Sequence, residues 1–151
     1  MGALEGTQRM SLADYRALVA KGAVAKVKRA SPEEDLHRAC FDLVRVLSLR
    51  YPILRWMVHY PAGGKRPKGE AGKLKAMGAK PGVPDLVLPR RNGQYTGFAT
   101  ELKSTTGRLS DDQRDWLAAL DEEGYLTAVC RTLEEFHDVL LVFLKGHSVD
   151  S

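Results

Sequence analysis

A chain of 151 residues and 16.7 kDa holds one domain with a sizeable core and excludes two of ordinary size. With 44% hydrophobic and 28% charged residues it is not a disordered chain, and its two distant cysteines, Cys40 and Cys130, exclude a zinc ribbon or a secreted disulfide scaffold. The formal net charge of +4 is unevenly spread. Residues 61–80 hold six Lys/Arg against one acid, and residues 111–151 hold ten acids against three bases, so a polyanion partner fits the first two thirds. No apolar run approaches a membrane span and the N-terminus has no apolar signal core, so a cytoplasmic protein without a membrane partner is expected.

Residues 1–30 form a basic N-terminal arm, in which Leu12, Tyr15, Leu18 and Val19 recur at helical spacing before Lys26-Val27-Lys28-Arg29. Ser31-Pro32-Glu33-Glu34 opens a helix, with serine as cap, proline in the first turn and Glu34 three positions after the cap. Leu36, Cys40, Leu43 and Leu47 mark its buried stripe, and Tyr51-Pro52 ends it. Ile53 to Tyr60 reads as a strand; Tyr51, Trp56 and Tyr60 offer rings on which bases could stack, but a strand that flanks a core buries its aromatics for ordinary reasons, and burial is expected. The loop Pro61-Ala62-Gly63-Gly64-Lys65-Arg66-Pro67 leads to a short helical stretch around Leu74 to Met77.

Strands are expected at Val83–Pro89 and Tyr95–Lys103, joined by a hairpin turn at Arg91-Asn92-Gly93. Ser110 caps a further helix with Trp116, Leu117 and Leu120 inward, ended by Gly124. A strand at Tyr125–Arg131 and a helix at Thr132–Leu144 complete the domain, 31–146, before a tail at 147–151. The order gives an α/β fold with a mixed central sheet flanked by helices.

The chemistry concentrates on two strands. Glu101 and Lys103 share one face of theirs, and the hairpin brings Asp85 across from Glu101. Two carboxylates held that close call for a hard divalent cation, and a lysine beside it can orient a water for attack on a phosphodiester. A plain structural reason competes: alternating charges on an edge strand discourage sheet pairing. Lys103-Ser104-Thr105 is no phosphate-binding loop, since Leu102 stands where glycine is required, and His37, His59, His137 and His147 lack zinc spacing.

Three runs carry a wider resemblance: Pro81-Gly82-Val83-Pro84-Asp85-Leu86-Val87-Leu88, Gly97-Phe98-Ala99-Thr100-Glu101-Leu102-Lys103 and Gly107-Arg108-Leu109-Ser110-Asp111-Asp112-Gln113. Together with Gly63-Gly64-Lys65-Arg66, the Glu33 helix and Gly124-Tyr125, they resemble the virus-type replication-repair nuclease (VRR-NUC) family over residues 31–140. That family belongs to the PD-(D/E)xK nucleases, which have a restriction-endonuclease-like core.

The resemblance implies a Mg²⁺- or Mn²⁺-dependent DNA endonuclease. Asp85, Glu101, the Leu102 carbonyl and a carboxylate on the first helix would hold the metal, and Lys103 would act as the catalytic lysine. The family's helix carboxylate falls on Glu33 or Glu34. Glu34 has a capping role, and Glu33 lies on the inward stripe, so Glu33 is chosen. One turn on, His37 stands where the family usually has glutamine, and Ala62 where it often has asparagine. Gln113 matches a family glutamine near the active site and also suits a reciprocal cap on Ser110. Lys65, Arg66, Lys68 and Lys73 are the expected phosphate grip.

Stand-alone members resemble Holliday-junction resolvases, which implies a homodimer on branched DNA in a bacterial or phage-infected cytoplasm. Flap cutting, nicking of duplex and a catalytically silent DNA-binding module remain open at this point.

Overall fold

The structure, a computed structural model, describes residues 11–13, 16–17, 31–61 and 69–146. Lys65, Arg66 and Lys68 of the expected phosphate grip, most of the 1–30 arm and the 147–151 tail lie outside these residues.

Helix α1, Pro32–Ser48, begins as its sequence dictates: the Ser31 hydroxyl accepts from the Glu34 N–H, and the Glu34 carboxylate accepts from the Ser31 N–H. Its inner stripe, Cys40, Leu43, Val44 and Leu47, is buried against the sheet and the last helix. Pro52 then starts a 3-10 helix, Pro52–Trp56, where a strand was expected. Proline fixes a helical φ, and bonds from the Leu54 N–H to the Tyr51 carbonyl and from the Met57 N–H to the Leu54 carbonyl close tight turns. Leu54 and Met57 turn inward, whereas Trp56 is left 47% exposed beneath the guanidinium groups of Arg55 and Arg90. Of the expected strand, Val58–His59 forms β1.

After α2, Glu70–Ala76, come β2, Leu86–Leu88, and β3, Phe98–Leu102. Helix α3, Asp111–Glu122, strand β4, Leu126–Cys130, and helix α4, Leu133–Lys145, follow. The sheet order is β1-β2-β3-β4, antiparallel except for the parallel pair β3–β4. A parallel pair needs a crossover, which α3 supplies.

Strand β3 has a neighbour on each side and all five residues buried. Phe98 meets Phe136 and Phe143 of α4 on one face, and alternation sends Glu101 to the other, where α3 packs. Glu101 is therefore an interior carboxyl group, and edge protection does not account for it. The β2–β3 turn docks on the end of α4, where the Asn92 amide donates to the Phe143 and Leu144 carbonyls. At Gly93, with φ of 58°, an added Cβ would fall 2.0 Å from the Gly146 carbonyl oxygen. Ahead of residue 31, Leu12 packs against the core and Arg16 pairs with Glu134 of α4.

Candidate active site

The β2–β3 register pairs Leu86 with Thr100, so its continuation sets Asp85 opposite Glu101 at the mouth of the sheet. Asp85 is fixed at both ends. Its carbonyl accepts from the Tyr60 N–H at 3.0 Å, and its Oδ2 accepts from the Leu102 N–H at 2.8 Å. The N–H and C=O of a strand residue point the same way, so the Leu102 carbonyl is directed toward the Asp85 edge.

Glu101 is 3% exposed, and its Oε1 accepts from Gln113 Nε2 at 2.8 Å and lies 3.8 Å from Lys103 Nζ. Its Oε2 is buried without a hydrogen-bond partner. Burial, then the Asp85 charge, push Glu101 up to about 8, with the Lys103 ammonium pulling the other way. At neutral pH Glu101 keeps a proton that a cation could displace. A buried oxygen lacking a donor, a neighbouring carboxylate and an all-oxygen donor set fit a hard divalent ion.

Gln113 performs both functions that its position allows. Its N–H donates to the Ser110 hydroxyl, its Oε1 accepts from the Ser110 N–H, and its Nε2 remains for Glu101. Only one orientation of the amide satisfies all three bonds. The helix start reaches Glu101 because Gly82 lets it approach. Gly82 has φ of 84°, and a Cβ there would lie 2.5 Å from the Asp112 carbonyl carbon. The Trp116 indole pins the same turn by donating to the Pro81 carbonyl at 3.1 Å. Beyond Lys103, Arg131 Nη1 donates to the Ser104 and Gly107 carbonyls at 2.7 and 2.6 Å, closing the turn that follows the lysine.

Asp85, Glu101, Lys103 and Gln113 are thus assembled in one place, with Leu102 beside them. Glu33 is half-buried in the first turn of α1, on the same helix face as His37 one turn later. The described residues contain no group of three His, Cys, Asp or Glu side chains at metal-holding spacing. Lys73 is exposed on α2.

Sequence reasoning missed His59. Its ring meets His37 edge-on with centroids 4.0 Å apart, and its Nδ1 lies 3.0 Å from the Asp85 carbonyl oxygen. Burial and His59 hold His37 below its usual range, with Asp85 opposing. The signal was the proximity of His59 to the strand partner of Asp85, masked because β1 was read as a longer strand of aromatics.

No helix among the described residues is long and apolar enough to cross a membrane. No curated protein matches the sequence. A solved structure described as a VRR_NUC domain protein superposes with a TM-score of 0.59 at 25% identity, covering 78% of this chain and 92% of that one. The model of the VRR-NUC domain matches residues 35–133, a span that runs from α1 through the whole sheet and contains every residue of the Asp85–Glu101 cluster. Matched over most of its length, and with the domain's elements in order, this chain belongs to the VRR-NUC domain family, whose fold is of nuclease type.

Proposed function

We propose that the chain is a metal-dependent, structure-selective DNA endonuclease that acts on branched DNA as a homodimer, in the manner of a Holliday-junction resolvase. The observation that carries this reading is the buried Glu101 carboxyl, pressed against Asp85 with one oxygen unpartnered and a lysine 3.8 Å away. An interior pair of that kind opposes folding unless a proton or a cation neutralises it.

Asp85, Glu101 and the Leu102 carbonyl would hold Mg²⁺ or Mn²⁺, with Glu33 as an outer carboxylate. When bound, such an ion neutralises phosphate charge and lowers the pKa of water. The protein's own groups do the rest. The Leu102 N–H fixes the direction of Asp85, and the Gln113 amide does the same for Glu101. The Lys103 side chain is held largely out of water, so its ammonium meets an attacking water or a phosphoryl oxygen with little screening. Lys73, with Lys65, Arg66 and Lys68, would grip the flanking phosphates. A junction has two related scissile phosphates, and a twofold dimer presents two such sites.

The test is cleavage of a four-way junction, a flap and a plain duplex with Mg²⁺, Mn²⁺ or EDTA. Paired symmetric cuts in the junction, abolished by EDTA, are expected. Cutting of flap or duplex instead would retain the nuclease and remove the junction assignment. Binding without cutting of any substrate would overturn the reading.

A further inference from the structure

A cleft of about 810 Å³ is walled by Tyr60, Leu74, Lys75, Met77, Lys80 and Pro81. It is joined to the site through the backbone, because the Tyr60 N–H holds the Asp85 carbonyl and the Tyr60 hydroxyl accepts from the Lys80 N–H at 3.3 Å. On the far side, the Pro81 carbonyl is held by Trp116 of α3, the helix that carries Gln113. An occupant of the cleft therefore touches segments that are hydrogen-bonded to the Asp85 strand and to the helix that carries Gln113.

The lining describes its occupant. Tyr60 and Leu74 are half-buried, and Met77 is 73% exposed, so the wall shows an aromatic ring, a branched aliphatic chain and a thioether to solvent. Phosphates gain nothing from such a surface, whereas the flat face of a nucleobase does. Lys75 and Lys80 lie exposed on the rim, which suits a polyanionic backbone on either side of an inserted base. A base inside a duplex has both faces covered by its neighbours and cannot enter. The volume lies within the range of sites that enclose a single small molecule, and one nucleotide fits it.

We infer that this cleft is a binding site for one unpaired nucleotide of the DNA strand, its base stacked on Tyr60 and Met77 and its flanking phosphates held by Lys75 and Lys80. The inference rests on the nuclease reading above and deepens it. The enzyme selects branched DNA because only a branch, flap or opened junction supplies a base free to leave the stack beside the scissile phosphate.

The experiment uses a duplex with one single-stranded arm carrying 2-aminopurine at successive positions from the branch, in EDTA, against a fully paired duplex of the same sequence. Wild type and Tyr60→Phe should quench the fluorescence at one or two positions nearest the branch. Tyr60→Leu should lose that quenching and bind the armed DNA about tenfold more weakly, the loss that removing one base–aromatic stack brings. Its affinity for the paired duplex should stay within about twofold. Met77→Asp alters an exposed side chain, so it folds, and it should give the same pattern by placing a negative charge in the cleft.

Quenching that is independent of position, or equal losses of affinity for both DNAs, would overturn the inference. Cutting in Mg²⁺ without local quenching removes the cleft and leaves the nuclease. Local quenching without cutting removes the nuclease and leaves the cleft as a nucleotide site.

Discussion

Replacing Glu101 with glutamine should make the metal-free protein more stable and leave it unable to cut DNA. The swap keeps the shape of the side chain and removes its ionisation, and an amide can still accept from Gln113 while donating to Asp85. In the folded wild type, burial and the Asp85 charge push Glu101 from an ordinary 4.5 up to about 8. Between those two values the folded state binds more protons than the unfolded state, so stability falls as pH rises. Below the lower value the contribution is complete, and above the upper one it is fully lost. Each unit corresponds to about 1.4 kcal/mol, so the window amounts to a few kcal/mol.

Urea denaturation of both proteins in EDTA, from about pH 5 to about pH 9, isolates this effect, because the two chains differ only in this one carboxyl. The difference in favour of Glu101→Gln should be small at the acid end and grow to a few kcal/mol at the alkaline end. Adding Mg²⁺ or Mn²⁺ at the alkaline end should restore stability to wild type and not to the variant, since a cation that binds the folded state stabilises it by mass action. Parallel pH profiles for the two proteins would refute the reasoning, since Glu101 would then carry no strain from Asp85 or burial.

Other substitutions separate positioning from packing. Ser110→Ala removes the hydroxyl that caps α3 and should cost about 1 kcal/mol in urea denaturation while leaving cutting near the wild-type rate. Gln113→Leu loses a reciprocal bond of the same cap and the grip on Glu101, so a similar stability loss should come with at least a tenfold fall in cleavage rate, roughly the scale of a misplaced active-site group. Gly82→Ala sets a methyl against the Asp112 backbone at positive φ and should cost about 1–3 kcal/mol by overpacking, with cleavage falling as α3 moves off Glu101. Asn92→Ala should cost about 1 kcal/mol through the lost cap of α4 and leave cleavage unchanged, because that turn lies at the opposite end of β2 and β3 from Asp85.

Much of the fold was legible because its signals are local. The Ser31 and Ser110 caps, the turn at Gly93 and the stop at Gly124 each act within a few residues, and each lies where the sequence placed it. The pairing of Asp85 with Glu101 followed from one turn and strand alternation. Pro52–Trp56 was illegible for a physical reason: over five residues an apolar alternation suits a strand or a tight helix equally, and the choice fell to bonds running back to Tyr51 and Leu54. That turn also exposed Trp56, which was read as core.

Within the site, the residue types announced the chemistry, but competition between roles could not be settled by spacing. Glu34 is fully used by its cap, whereas Gln113 caps and reaches Glu101 together because an amide has an acceptor and donors to spare. His59 escaped notice because its place depends on β1 pairing with β2, a contact between residues far apart in the chain. The reading of Glu101 as an edge-strand charge failed for the same reason, since the parallel pairing with β4 that buries it is long-range.

The central claim, that Asp85, Glu101 and Lys103 form a hydrolytic site, is tested most directly by Lys103→Ala on junction DNA in Mg²⁺, with binding measured in parallel. The account predicts cutting by wild type, a loss of at least about a hundredfold in the variant, the lower end for a positioned proton-transfer group, and unchanged DNA affinity. Equal cutting by both proteins would place the chemistry elsewhere in the molecule and contradict the account.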